Sequence, residues 1–277
     1  MNTDYLEKLY NLSGKVAVVT GGGGVLCGAM CRAFGQVGIR VAVLDLNGEA
    51  AQKVTDDIRA AGGEALAIQA DVLSKDSLER ARQELVTKFG QVDILINGAG
   101  GNNPQATTSA EQPFFDLPTD AIRWVFDLNF MGTLIPCQVF GQVMAEQGEG
   151  CIINISSMNA FRPLTNVVAY SAAKAAVSNF TQWLAVHMSQ NYSDKIRVNV
   201  IAPGFFLTQQ NRFLLIDEAT GELTERGRRI IEHTPMGRFG MPEDLMSTVL
   251  WLSSPGSAFV HGVVIPVDGG FSAFSGV

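Results

Sequence analysis

Short apolar runs rich in β-branched residues alternate along the chain with longer segments whose apolar positions recur at helical spacing. The runs are VAVVT at 16–20, VAVLD at 41–45, ALAIQ at 65–69, DILIN at 93–97, CIINIS at 151–156 and IRVNVIA at 196–202. Their near-continuous apolar character predicts strands buried on both faces. Between them, EAAQKVTDDIRAAGG at 49–63 and KDSLERARQELVTKFG at 75–90 carry the helical period and end in glycines, which supply left-handed caps. Strand and helix in repetition predict a parallel sheet covered on both sides, a doubly wound α/β fold of the Rossmann type. Ligands of such sheets bind beyond the carboxyl ends of the strands, where the winding reverses. The residues that follow each strand are therefore the candidates for function.

The chain has 277 residues, 47% of them apolar and 17% charged, enough for a sizeable core. No linker, charge block or repeat divides it, so one domain over 1–277 is expected. The net charge of −7 and the absence of a Lys/Arg cluster argue against a nucleic-acid partner and leave a small molecule as the expected one. The opening residues lack the apolar stretch of a signal peptide, and no run of about 18 apolar residues occurs, so a cytoplasmic protein without membrane contact is expected. Cys27, Cys31, Cys137 and Cys151 show no metal-ligand spacing and read as small buried hydrophobes. His187, His233 and His261 are scattered and read as structural or surface residues, so no metal is expected.

Directly after the first run comes Thr20-Gly21-Gly22-Gly23-Gly24-Val25-Leu26-Cys27-Gly28, opening a helical segment. Glycines let a backbone approach a pyrophosphate, and a helix start offers unpaired N–H groups with partial positive charge. Tight strand-to-helix turns need glycine in any case, so the turn alone is weak evidence. A P-loop is excluded because Ala29 and Met30 stand where Lys and Ser/Thr are required. Asp45, about twenty residues past the turn, ends the second run, where a carboxylate accepts hydrogen bonds from the adenosine ribose; a helix cap is the plainer alternative. No Arg or Lys in Leu46-Asn47-Gly48 could neutralise a 2′-phosphate beside it, so NAD is favoured over NADP. Asp71-Val72 ends the third run, and Asn97-Gly98-Ala99-Gly100 ends the fourth with small residues that let a ring or sugar lie close.

Tyr170 and Lys174 lie four residues apart in a strongly helical segment, which stacks both side chains on one face. An ammonium within about 4–6 Å of a phenol stabilises the phenolate and lowers its pKa. Tyr170 could then exchange a proton with an alcohol or a nascent alkoxide. Tyr-x-x-x-Lys occurs by chance on many helices, and its weight here comes from its company.

That company is the ordered set of TGGGG, Asp45, NGAG, Asn129, Ser157, Tyr170, Lys174, Pro203-Gly204 and the closing GVVIPVDGG. It resembles the short-chain dehydrogenase/reductase family over roughly residues 12–271. The resemblance implies a seven-stranded parallel sheet in the order 3-2-1-4-5-6-7, a bound NAD(P) and a homotetramer. It implies that Ser157, with Ser156 as the neighbouring candidate, bonds the substrate oxygen, that Tyr170 is the acid/base, and that Lys174 holds the nicotinamide ribose and depresses the tyrosine pKa. Asn129 would hold a water joining that lysine to solvent. Gly21, Gly24, Val25, Leu26, Asp45, Leu46, Asp71, Val72, Asn97, Gly98, Ala99, Pro203, Gly204, Phe206 and Thr208 would join Tyr170 and Lys174 around the cofactor. The family's TGxxxGxG places glycine at 25 and 27, where this chain has Val25 and Cys27. Gly24 and Gly28 are expected to take over those close approaches.

The segments expected to select the substrate are polar: Asn102 and Asn103 after the fourth strand, Asn159 and Arg162 after the fifth, Gln209, Gln210, Asn211 and Arg212 after the sixth. Amides suit a molecule with many hydroxyls, and an arginine suits a carboxylate, so a sugar acid is expected. GAGGNNP, SSMNAFRPL, APGFFLTQQNR and HTPMGRFG resemble the D-mannonate oxidoreductase (fructuronate reductase) branch of the family. A gluconate or polyol dehydrogenase, and a non-catalytic NAD(H)-binding protein, are the alternatives. The stretch 205–235 is expected to form a lid over the substrate.

Overall fold

The computed structural model describes residues 3–208 and 211–276, in which seven strands form one parallel sheet. They are β1 (Val16–Thr20), β2 (Arg40–Asp45), β3 (Ala65–Gln69), β4 (Ile94–Asn97), β5 (Gly150–Ile155), β6 (Ile196–Pro203) and β7 (Val264–Val267), in the order β3-β2-β1-β4-β5-β6-β7. The helices are α1 (Thr3–Tyr10), α2 (Val25–Gln36), α3 (Gly48–Ala60), α4 (Lys75–Phe89), α5 (Thr119–Phe126), α6 (Gly132–Gln147), α7 (Val168–Asn191), α8 (Arg212–Leu215), α9 (Glu225–Glu232) and α10 (Met246–Ser253). The seventh strand is short, half-buried and contains Pro266. Proline donates no ladder hydrogen bond, which suits the edge position it occupies.

Alternation along the strands sends side chains to both faces of the sheet. Val16, Val18, Ala42, Leu44 and Leu95 pack against α4 and α6, where Leu78, Leu85, Phe140 and Met144 are fully buried. Ala17, Val19, Val41, Val43 and Ile96 pack on the other face against Met30 and Phe34 of α2 and Leu252 of α10. Truncating a ring such as Phe34 or Phe140 to alanine would cost about 3–5 kcal/mol. All four cysteines lie in these cores as free thiols, and burial pushes Cys27 and Cys137 up to about 12. That agrees with their reading as hydrophobes.

The chain turns from β1 outward to β2 and β3, then returns to place β4 on the other side of β1. Thr20 and Asn97 are therefore neighbours at the carboxyl edge, and the Thr20 hydroxyl accepts the N–H groups of Gly98 (3.2 Å) and Ala99 (3.3 Å). The crevice that opens there is the switch point of the winding. Beyond β6, Phe206 bridges to Gly240, α8 leads to a bridge between Ile216 and Leu223, and α9 carries Arg226, Arg228 and Arg229 on exposed positions. Gln209 and Gln210 lie outside the described residues. Among the described residues no helix is long and apolar enough to cross a membrane, and no three His, Cys, Asp or Glu side chains are grouped to hold a metal.

Candidate active site

A cleft of about 580 Å³ follows the carboxyl edge of the sheet from Asp45 and Leu46, past Gly24 and Val25, to Tyr170 and Gly204. Every residue expected around a dinucleotide lines it except Asn97, Lys174 and Pro203. Gly24 precedes α2 without a side-chain cap, so the first N–H groups of that helix have no partner inside it. The arrangement fits a dinucleotide: an anion at an uncapped helix start and a carboxylate at the end of β2. Asp45 is held in place by two backbone donors, Gly23 N–H to Oδ2 (3.0 Å) and Asn47 N–H to Oδ1 (2.9 Å). The cap of α3 is not Asp45 but Asn47, whose Oδ1 takes the N–H groups of Glu49 and Ala50.

The backbone demands on the glycines of the turn are unequal. Gly24 has ordinary dihedrals, φ −74° and ψ 167°, and Gly28 packs α2 against Val54 and the Gly22 carbonyl. The demanding positions are Gly21, with φ +66° and a Cβ that would lie 2.9 Å from Ala99, and Gly23, whose Cβ would lie 2.7 Å from Ala50. Gly98 lines the cleft, and a Cβ there would run into the Cys27 sulfur. Cys27, where the family has glycine, fills the space that Gly98 leaves open.

At the far end of the cleft, Ser157, Tyr170 and Lys174 converge. Ser157 follows β5 in extended conformation and accepts the Asn159 N–H at 3.3 Å, which starts a 3₁₀ turn over Met158–Ala160. Ser156 points the other way, into α7, where its hydroxyl bonds the Lys174 carbonyl and the Ser178 hydroxyl, both at 2.8 Å. Of the two serines, only Ser157 hydrogen-bonds Tyr170. Lys174 is 4% exposed, and its Nζ lies 5.6 Å from the centre of the Tyr170 ring while donating to the Ile155 carbonyl at 2.8 Å.

The electrostatics correct the expectation for the phenol. Burial raises the Tyr170 pKa above its ordinary value, and the Ser157 hydrogen bond offsets part of that rise. Burial lowers Lys174 to about 8. The ammonium sits over the ring, not at the hydroxyl, so in the free protein it does not pull the phenol down.

Asn129 belongs to a π-helical turn, Asp127–Met131, between α5 and α6. Its Nδ2 donates to the carbonyls of Gly101 and Val125, both at 2.7 Å, and its Oδ1 accepts the Gly101 N–H at 3.3 Å. A Cβ on Gly100 would meet Asn129 Oδ1 at 2.7 Å and Lys174 Nζ at 3.2 Å, so these two side chains meet at Gly100. Asn97 turns its amide into the core, donating to Asn154 Oδ1 (2.8 Å) and Cys137 Sγ (3.1 Å). Only its backbone remains for a ligand.

Several amides expected to face the substrate are used by their own loops. Asn102 bonds Thr107, Asn103 caps the turn at Pro104–Ala106, and Asn211 clamps its loop through the Thr208 N–H and the Phe206 carbonyl. Asn159 is buried beside Ser157. Arg162 donates from Nε to the Ser272 carbonyl at 3.1 Å, and its two terminal nitrogens have no partner among the described residues. Arg212 opens onto the glycine turn and α3, away from Tyr170. Of the histidines, His261 is built into the structure between the Val198 N–H and the Ala185 carbonyl, and His187 stacks on Trp183.

Comparison with known proteins sets this geometry in a family. The short chain dehydrogenase model matches residues 15–218. An uncharacterized oxidoreductase, UxuB, of Bacillus subtilis (strain 168) is 51% identical over 276 residues, covering 96% of this chain and 98% of that protein. The 7alpha-hydroxysteroid dehydrogenase of Escherichia coli (strain K12) is 33% identical over 269 residues, covering 97% of each chain. Among solved structures, a protein provisionally described as a D-mannonate oxidoreductase from Haemophilus influenza, with bound NAD, superposes with a TM-score of 0.92 at 50% identity, covering 97% of this chain and 98% of that one.

Proposed function

The chain belongs to the short-chain dehydrogenase family and is an NAD-dependent oxidoreductase of that type, and from that premise we propose that it interconverts a sugar acid and its keto form, D-mannonate and D-fructuronate. The observation that carries the reading is the meeting of Ser157 and Lys174 with Tyr170, which lines the cleft along the carboxyl edge of the sheet. The cofactor, when bound, supplies or accepts the hydride. Ser157 donates a hydrogen bond to the substrate oxygen and orients the phenol. Tyr170 gives its proton to that oxygen as the carbonyl becomes an alcohol, and takes it back in oxidation. A phenol whose pKa burial holds high keeps its proton at neutral pH, which suits reduction. Lys174 holds the nicotinamide ribose, and Asn129 fixes the Gly100-Gly101 backbone against which the lysine lies.

Gly21, Gly24, Val25 and Leu26 line the pyrophosphate position, Asp45 and Leu46 the adenosine ribose, Asp71 and Val72 the adenine, and Gly204, Phe206 and Thr208 the nicotinamide. Asp45 carries negative charge where a 2′-phosphate would sit, which favours NAD over NADP.

For the substrate, the terminal nitrogens of Arg162 suit a carboxylate, and the polar loop at Asn159 suits hydroxyl groups. A steroid pocket would be lined by apolar side chains instead. The similarity to the Haemophilus protein supports the same choice. The test is a screen of NADH and NADPH oxidation over fructuronate, keto-gluconates and keto-steroids. We expect the highest kcat/KM with fructuronate and NADH; a keto-gluconate or steroid exceeding it would overturn the substrate, and NADPH exceeding NADH would overturn the cofactor.

A further inference from the structure

A groove of about 630 Å³ runs along the outer side of the glycine turn and joins the cofactor cleft at Gly24, Val25 and Thr208, which line both. Three cations border it, Arg32, Lys53 and Arg212, with one carboxylate, Glu243. Arg32 is already neutralised by Asp57, with Nη2 to Oδ2 at 2.7 Å. Neither Lys53 nor Arg212 has a hydrogen-bond or ion-pair partner among the described residues, and Glu243 pairs with neither. A guanidinium left unpaired in a groove that shares its lining with an uncapped helix start is placed to meet an anion bound at that start.

The position of Arg212 is set by the chain before it. Asn211 accepts the Thr208 N–H and donates to the Phe206 carbonyl, each at 2.8 Å, and so ties the start of α8 to the wall of the cleft. Arg212 follows that clamp directly. Given the dinucleotide reading above, on which this rests, we propose that Arg212 is a cofactor-binding residue that grips the pyrophosphate together with the N-terminus of α2, with which it shares the groove. Lys53 adds positive potential along the same groove. The sequence pattern pointed Arg212 at the substrate; the groove points it at the phosphates.

The test uses the full chain and calorimetric titration with ADP-ribose, ADP and adenosine, for the native protein, Arg212→Met and Arg212→Lys. We expect Arg212→Met to weaken ADP and ADP-ribose by about tenfold while adenosine binding changes less than about twofold, and Arg212→Lys to recover part of the loss. Raising the salt concentration should narrow the gap between native and Met proteins, because the lost contact is ionic. Unchanged ADP affinity in Arg212→Met, or an equal loss for adenosine in both variants, would overturn the assignment. Failure of the native protein to bind ADP-ribose at all would instead sink the dinucleotide reading, and the assignment with it.

Discussion

Lys174 lies one helical turn from Tyr170, its ammonium 5.6 Å from the centre of the phenol ring, yet its hydrogen bond goes to the Ile155 carbonyl and not to the tyrosine hydroxyl. The two side chains share a face of α7 as their spacing dictates, but burial dominates both: it raises the phenol and lowers the ammonium. Coupling between them therefore depends on what fills the cleft. A nicotinamide nucleotide held in the cleft would offer ribose hydroxyls to the lysine and, when oxidised, would bring the positive charge of its ring near the phenol.

The lysine leaves a mark on stability. Its pKa is about 8 in the fold against an ordinary 10.5, so between those values the unfolded chain binds more protons and stability rises with pH. Lys174→Met removes this titration. In the cofactor-free protein we expect the melting temperature of the native chain to gain on that of Lys174→Met as pH goes from about 7 to about 10. A constant gap would show that Lys174 ionises alike in both states.

The pairing of Cys27 with Gly98 is open to a suppressor test. Gly98→Ala drives a methyl into the Cys27 sulfur, an overpacking that typically costs about 1–3 kcal/mol. Cys27→Gly restores the space, so the double variant should be more stable than Gly98→Ala alone. Additive losses in a denaturant-unfolding cycle would mean that the two positions do not press on each other.

On the outer face of α7, Phe180, Trp183, His187 and Tyr192 form a run of stacked and edge-on rings, with Trp183 and Tyr192 each 58% exposed. Exposed apolar patches of this kind mark interfaces, and we propose that this one is buried in the homotetramer that the family resemblance implies. Light scattering should give a smaller assembly for Trp183→Arg than for the native chain. A native chain that is already monomeric would remove the proposal.

Much of this was legible in advance. Six strands announced themselves as apolar runs because a doubly covered parallel sheet hides both faces of each, and the spacing of Tyr170 and Lys174 required only a helix. The seventh strand, carrying Pro266 at the edge, had no such signal of its own and was expected only through the resemblance. What stayed hidden depends on contacts between distant segments. Nothing near Gly98 says that Cys27 will lie over it, and nothing near Asn97 says that its amide will turn toward Asn154. Ser156 and Ser157 are chemically identical neighbours, separated only by the alternation of an extended chain that sends one into α7 and the other to Tyr170. The direction of the Tyr170 shift was misjudged because spacing reports proximity of an ammonium and is silent on loss of water. Arg212 looked like a carboxylate ligand because its loop follows β6, and only the groove beside Gly23 shows where it opens.

The most direct measurement is the turnover of Tyr170→Phe, which removes one hydroxyl from the meeting point with Ser157. With fructuronate and NADH, we expect kcat to fall by about 10²–10⁴-fold while the Kd for NADH stays within about twofold of the native value. Turnover within about tenfold of native, at intact NADH binding, would show that another group carries the proton.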